Sequence, residues 1–122
     1  MKLKSLVLAA VAAVSLAGSA WAHHSHANYD TTSFTNLEGT VKQVRWMNPH
    51  TWVLIEVMEA GKPVMWTLEG GSPQALLREG WKKEDIKVGD PIKARCHRIK
   101  DGANSCLFGF LSVPGKAEKE LD

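Results

Sequence analysis

The sequence predicts an all-β domain that contains one short helix. Hydrophobic residues between positions 37 and 113 recur mostly at every second position, one segment carries helix-start and helix-stop signals, and turn residues separate the hydrophobic runs. Alternate side chains of a strand point to opposite faces, so this pattern is typical of strands with one buried face. About one hundred residues is a usual size for one domain with one modest core.

The first predicted strand is long and changes phase. From Leu37 to Val41 apolar residues alternate with polar ones, whereas after Gln43 the apolar positions fall at Val44 and Trp46. Such a change of phase indicates a β-bulge or a bend.

A hairpin follows the first strand. Asn48-Pro49 ends that strand, residues 51–57 form the second strand, and the turn at residues 60–62 leads into a third strand around residues 64–68. On this alternation Trp66 faces the core and Trp52 faces outward.

Residues 74–79 are the predicted helix. Ser72 supplies a capping hydroxyl, Pro73 suits the first helical position, and Gly80 is a natural stop. The charged segment 82–87 is expected to be solvated.

The last predicted hairpin joins a fourth strand at residues 92–99 to a fifth at residues 107–113. The charged tail, residues 114–122, has no apolar face and is expected to be frayed. Three strands, a helix and a hairpin are the element order of a five-stranded Greek-key barrel of the oligonucleotide/oligosaccharide-binding type. A small β-sandwich is the alternative.

Residues 1–22 have the features of a cleaved signal peptide. Lys2 and Lys4 precede a short apolar run, and small residues lead to a cut after Ala22. The protein is therefore predicted to be periplasmic or secreted, without a membrane anchor after cleavage. Removing both lysines leaves 13 basic residues (15 minus 2) against 13 acidic ones, so no nucleic-acid partner is predicted. Residues 23–36 then form an N-terminal His-rich arm, and residues 37–113 form the barrel.

The two cysteines flank the turn-prone residues 100–104. Cys96 and Cys106 are expected to face each other across the last hairpin, and an even cysteine count in an exported domain favours a structural disulfide. Two alternatives stay open: the cysteines are free thiols, or Cys96 and His97 are ligands of a metal ion. Otherwise His97 is expected to be an outward-facing strand residue.

Cleavage after Ala22 would place three histidines at the start of the mature chain. The α-amine and imidazole of His23, with His24 and His26, form a compact set of nitrogen donors, and His50 follows the Asn48-Pro49 turn at a predicted barrel rim. Imidazole ligands bind Cu(II) most strongly among the common divalent ions, so copper is the hypothesised cofactor and no other is predicted. A solvated arm that binds metal adventitiously is the competing interpretation.

An aromatic rim is the second candidate site. Trp46, Asn48, His50 and Trp52 could hold a small molecule, a glycan or a periplasmic protein partner without a metal, with Arg45 nearby. The competing interpretation is that the aromatic rings close the barrel ends. No nucleophile motif, phosphate-binding loop or telling carboxylate pair indicates an enzyme, and Glu56, Glu59 and Glu69 are expected to be solvated.

Seven short motifs occur together in one known family. They are His23-His24-Ser25, Leu37-Glu38-Gly39-Thr40-Val41, Asn48-Pro49-His50, Trp66-Thr67-Leu68-Glu69, Gly71-Ser72-Pro73, Leu77-Arg78-Glu79-Gly80-Trp81 and Val88-Gly89-Asp90. The combination resembles the exported bacterial family called domain of unknown function 6152, over nearly all the mature chain. That family carries no established activity. Its members typically lack a cysteine pair, so Cys96 and Cys106 depart from its pattern.

Overall fold

A computed structural model describes residues 26–121 of the chain. The predicted signal peptide, His23 and His24 lie outside these residues. The described elements are β1 (Thr35–Arg45), β2 (Trp52–Glu59), β3 (Lys62–Glu69), α1 (Pro73–Arg78), a 3-10 turn (Lys83–Asp85), β4 (Pro91–Arg98), β5 (Ser105–Val113) and β6 (Lys116–Glu120).

Five of the strands close into a barrel. β1 pairs with β2 and β4, β2 pairs with β3, and β4 pairs with β5, all antiparallel. A parallel pairing of β3 with the start of β5 closes the ring. This order confirms the predicted barrel of the oligonucleotide/oligosaccharide-binding type, rather than two packed sheets.

The long first strand is bulged, as its change of phase indicates. Its register against β2 shifts between Val41 and Gln43. The strand pairs with β4 along its first half and with β2 along its second half, so it bends from one side of the barrel to the other. The side chains that fill the barrel and are almost fully buried include Val41, Val53, Ile55, Leu68, Ile92, Phe108 and Leu111.

The helix begins as predicted. The Ser72 hydroxyl accepts a hydrogen bond from the Ala75 backbone N–H at 3.1 Å, and Pro73 is its first residue. Leu76 packs into the core, whereas Leu77 stays exposed. No helix within the described range is long and apolar enough to cross a membrane.

The tail differs from the expectation of a frayed segment. After a turn at Gly115, residues 116–120 form β6, which pairs with β5, and the Leu121 N–H donates to the Gly109 carbonyl at 2.7 Å. A strand at the edge of a sheet needs no apolar face, because it is held by backbone hydrogen bonds while its charged side chains meet water. Leu121 then buries its side chain.

Candidate functional site

A buried carboxylate, Glu69, lies at the end of β3. It pairs across the sheet with Trp52, so its side chain lies on the outer face of the barrel, opposite to the core-facing Leu68. Glu69 is nevertheless only 6% exposed. Two residues cover it, Tyr29 from the arm and His50 from the connection between β1 and β2. The expectation that Glu69 is a solvated edge residue is therefore wrong.

Tyr29 brings the arm onto the barrel. It forms a backbone bridge with Ile99, and the neighbouring Lys100 N–H donates to the Asn28 carbonyl at 2.8 Å. The phenolic hydroxyl donates a hydrogen bond to Glu69 Oε2. Burial, followed by this bond to Glu69, raises the pKa of Tyr29 to about 12. The neutral phenol is thus the favoured form over the physiological pH range.

Backbone hydrogen bonds hold His50 against the segment that follows β3. The Gly70 N–H donates to the Thr51 carbonyl at 2.8 Å, and the Thr51 N–H donates to the Gly71 carbonyl at 2.9 Å. The preceding Asn48-Pro49 peptide bond is cis. This pairing places the His50 ring beside Gly70 and Glu69.

The contacts of His50 identify the ring nitrogen that carries its proton. His50 Nδ1 lies 3.2 Å from the Gly70 carbonyl oxygen and 3.5 Å from Glu69 Oε1. A carbonyl oxygen can only accept a hydrogen bond, so this contact favours the tautomer that carries the proton on Nδ1. In the neutral ring Nε2 then keeps a free lone pair. The side chain is 28% exposed, so part of it meets solvent.

His26 lies at a cavity that the segment after β3 also borders. It lines a small cavity of about 140 Å³ together with Gly70, Gly71 and Leu121. His50 therefore contacts Gly70 directly, whereas His26 shares a cavity with Gly70 and Gly71. Among residues 26–121 no group of three or more histidine, cysteine or acidic side chains is arranged to hold a metal ion. The other predicted ligands, His23 and His24, fall outside that range.

The predicted aromatic rim divides into two grooves. Trp52 lines a groove of about 350 Å³ on the outer face of β1, β2 and β3. Trp46 and Asn48 line a second groove of about 560 Å³, which is bounded by Trp81 and α1. The ring of His50 meets Trp52 edge to face, with 6.5 Å between the ring centroids. Trp52 therefore lines one groove, and Trp46 and Asn48 line another.

The cysteine pair is a disulfide. Cys96 and Cys106 are bonded, with their Cα atoms 5.6 Å apart, which excludes free thiols and a Cys96–His97 metal pair. The expectation that His97 faces solvent is wrong, since it is only 6% exposed. The arm covers it: Phe34 stacks on the ring at 4.5 Å, and His97 Nδ1 lies 2.8 Å from the Ser33 carbonyl oxygen.

Sequence reasoning missed Tyr29 and Glu69. Tyr29 is the single tyrosine of the chain and, with Phe34, one of two large aromatic residues in a polar arm, which is the one signal that could have marked it as an anchor. No local pattern distinguishes Glu69 from an exposed glutamate, because residues distant in the sequence bury it.

The fold and the site can be compared with known proteins. The model of a family of unknown function, DUF6152, matches residues 10–108 of this 122-residue chain. No curated protein and no solved structure gives a significant match. Since the matched region is well over half of the chain, this protein belongs to the family of unknown function DUF6152.

Proposed function

We propose that the protein is exported and binds Cu(II) through His50 and the nitrogen donors of the arm, His23, His24 and His26. One observation carries this proposal: His50 Nδ1 lies 3.2 Å from the Gly70 carbonyl oxygen, which favours the tautomer with its proton on Nδ1 and a lone pair for a metal on Nε2. Metal-binding histidines commonly donate their second ring N–H to a carbonyl or carboxylate oxygen, which orients the ring.

The course of the arm supports the contribution of its histidines. Tyr29 donates a hydrogen bond to Glu69, which lies 3.5 Å from His50 Nδ1, and His26 lines a small cavity together with Gly70. Only two residues separate His26 from His23. Cleavage after Ala22 would therefore leave an α-amine and the imidazoles of His23 and His24 within three residues of His26. Imidazole and amine donors favour Cu(II) over Zn(II), which is the reason to propose copper.

A competitive copper titration tests the proposal on protein recovered from the periplasm. We expect His50→Ala and His23→Ala each to weaken Cu(II) binding by about tenfold or more. His97→Gln is the matched control, because it removes a histidine that lies under Phe34 rather than beside Gly70. Unchanged melting temperatures would show that each variant is folded. If both test variants bind copper as tightly as the unmodified protein, the proposal is wrong.

Mass spectrometry of the same material tests export and processing. We expect a mature chain that begins at His23. Any other N-terminus removes the amine chelate from the proposed site, and retention of residues 1–22 in the cytoplasm contradicts export.

A metal-free binding module is the second candidate function, with a small molecule, a glycan or a periplasmic protein as its partner. The groove beside Trp52 favours it, since that groove is of a size that small ligands occupy. Binding that persists after a chelator has removed all metal would distinguish this function from copper binding.

A further inference from the structure

The outer face of β1, β2 and β3 forms a groove of about 350 Å³. Cross-strand pairing explains which side chains share this face: Arg45 lies opposite Trp52, and Leu54 lies opposite both Gln43 and Thr67. Met47, from the end of β1, completes the lining. The groove therefore combines apolar side chains, two neutral polar side chains and one cation.

Arg45 is the single cation in this lining. The ion pairs found between residues 26 and 121 engage Lys42, Lys93, Arg95 and Lys116, and none of them involves Arg45. Arg98, another arginine of the barrel, donates its hydrogen bonds to the loop after β4. Within the part of the chain that the structure describes, the guanidinium of Arg45 thus has no ion-pair partner.

The buried carboxylate of Glu69 does not neutralise Arg45. Glu69 lies on the same face, two residues beyond Thr67, but its Oε2 accepts from Tyr29 and its Oε1 lies 3.5 Å from His50. An arginine that faces a groove without a carboxylate partner is suited to an anionic ligand. The planar guanidinium matches a carboxylate, which it can bind through two parallel hydrogen bonds.

The other side chains that line the groove indicate which chemical groups the rest of the ligand carries. Trp52, Leu54 and Met47 offer apolar surface, and an aromatic ring such as that of Trp52 binds flat molecules by stacking or edge contacts. Gln43 and Thr67 can each donate or accept one further hydrogen bond.

We infer that this groove binds a small molecule in which a carboxylate is attached to a planar apolar body, with Arg45 as its anion-binding residue. The inference deepens the metal-free candidate function, because it names the chemical class of the ligand. It does not depend on the copper site, since neither Arg45 nor Trp52 is one of the proposed metal ligands.

An NMR titration of metal-free protein with benzoate tests this inference, with benzyl alcohol as the neutral probe of similar shape. We expect benzoate to shift the backbone amide signals of β1, β2 and β3 around the groove. Arg45→Gln should weaken benzoate binding by about tenfold, the loss expected for one charge-assisted pair. Benzyl alcohol should bind more weakly than benzoate and equally to both proteins. Arg78→Gln is the matched control, since Arg78 is exposed on α1 and does not line the groove.

Three results would overturn the inference: benzoate shifts no groove signal, Arg45→Gln binds benzoate as tightly as the unmodified protein, or benzyl alcohol binds as tightly as benzoate. Shifts confined to the groove beside Trp46 and Trp81 would leave the metal-free candidate function standing and contradict this ligand site. A copper titration of Arg45→Gln should match that of the unmodified protein, so a failure here can be told apart from a failure of the metal proposal.

Discussion

Tyr29 donates its phenolic hydrogen to the carboxylate of Glu69, forty positions further along the chain. This bond joins the N-terminal arm to the end of β3 and buries a carboxylate on the outside of the barrel. Because Glu69 also lies beside His50, the arm and the connection between β1 and β2 are linked through one side chain. Four predictions test this arrangement and the elements that support it.

Tyr29→Phe should destabilise the protein by about 1–3 kcal/mol, because it leaves a buried carboxylate oxygen without its donor while the aromatic ring remains. Urea unfolding measures this change. Thr32→Val is a suitable control, since it removes an exposed hydroxyl of the same arm. An equal effect of both variants would show that the bond to Glu69 does not matter for stability.

The ionisation of Tyr29 should be shifted to high pH. Its pKa is raised from 10.0 to about 12 in the folded protein, since burial and the nearby Glu69 disfavour the phenolate. The unfolded chain therefore loses this proton first, so the stability contribution is complete below pH 10 and is lost as the pH rises towards 12. As the chain contains one tyrosine, the ultraviolet absorbance of tyrosinate reports this residue alone. A midpoint near 10 in the folded protein would contradict the prediction.

Removing the disulfide with Cys96→Ala and Cys106→Ala should lower the free energy of unfolding by about 2–3 kcal/mol, the loss expected for a short cross-linked loop. Denaturant unfolding of the double variant measures this, and reduction of the unmodified protein should reproduce the loss. A double variant as stable as the oxidised protein would show that the hairpin needs no cross-link.

Gly70→Ala should destabilise the protein by about 1–3 kcal/mol, because the added Cβ would collide with the ring of Phe108. It should also weaken copper binding, since the Gly70 carbonyl orients His50. Gly71→Ala is the matched control, because its Cβ would lie 3.2 Å from the Cβ of Ala75, a tight but milder contact. Similar thermal unfolding of the two variants would contradict the prediction.

The sequence predicts the strands and the helix, which depend on neighbouring residues. It does not predict the burial of side chains that residues distant in the sequence cover. Alternation identifies the barrel strands, and Ser72 with Pro73 identifies the start of the helix, because these signals act within a few residues. The sequence pattern places Glu69 on or next to a strand and His97 in the fourth strand, but it predicts solvent-facing side chains for both. Alternation gives the face on which a side chain lies, but it does not show that Tyr29 and Phe34 come from the arm to cover that face.

The charged tail shows the same limit. Residues 116–120 show no hydrophobic period, although they form an edge strand. Backbone hydrogen bonds hold this strand to β5, and these bonds do not require particular side chains.

The shared cavity of His26 and Leu121 has a practical consequence for purification. A polyhistidine tag fused at the C-terminus would begin beside this cavity, and a tag placed directly before His23 would displace the amine of the proposed chelate. Either tag would add foreign imidazoles close to a proposed ligand of the arm, and these would compete for the copper that an assay is meant to assign to the protein. Untagged material is therefore required for every metal measurement.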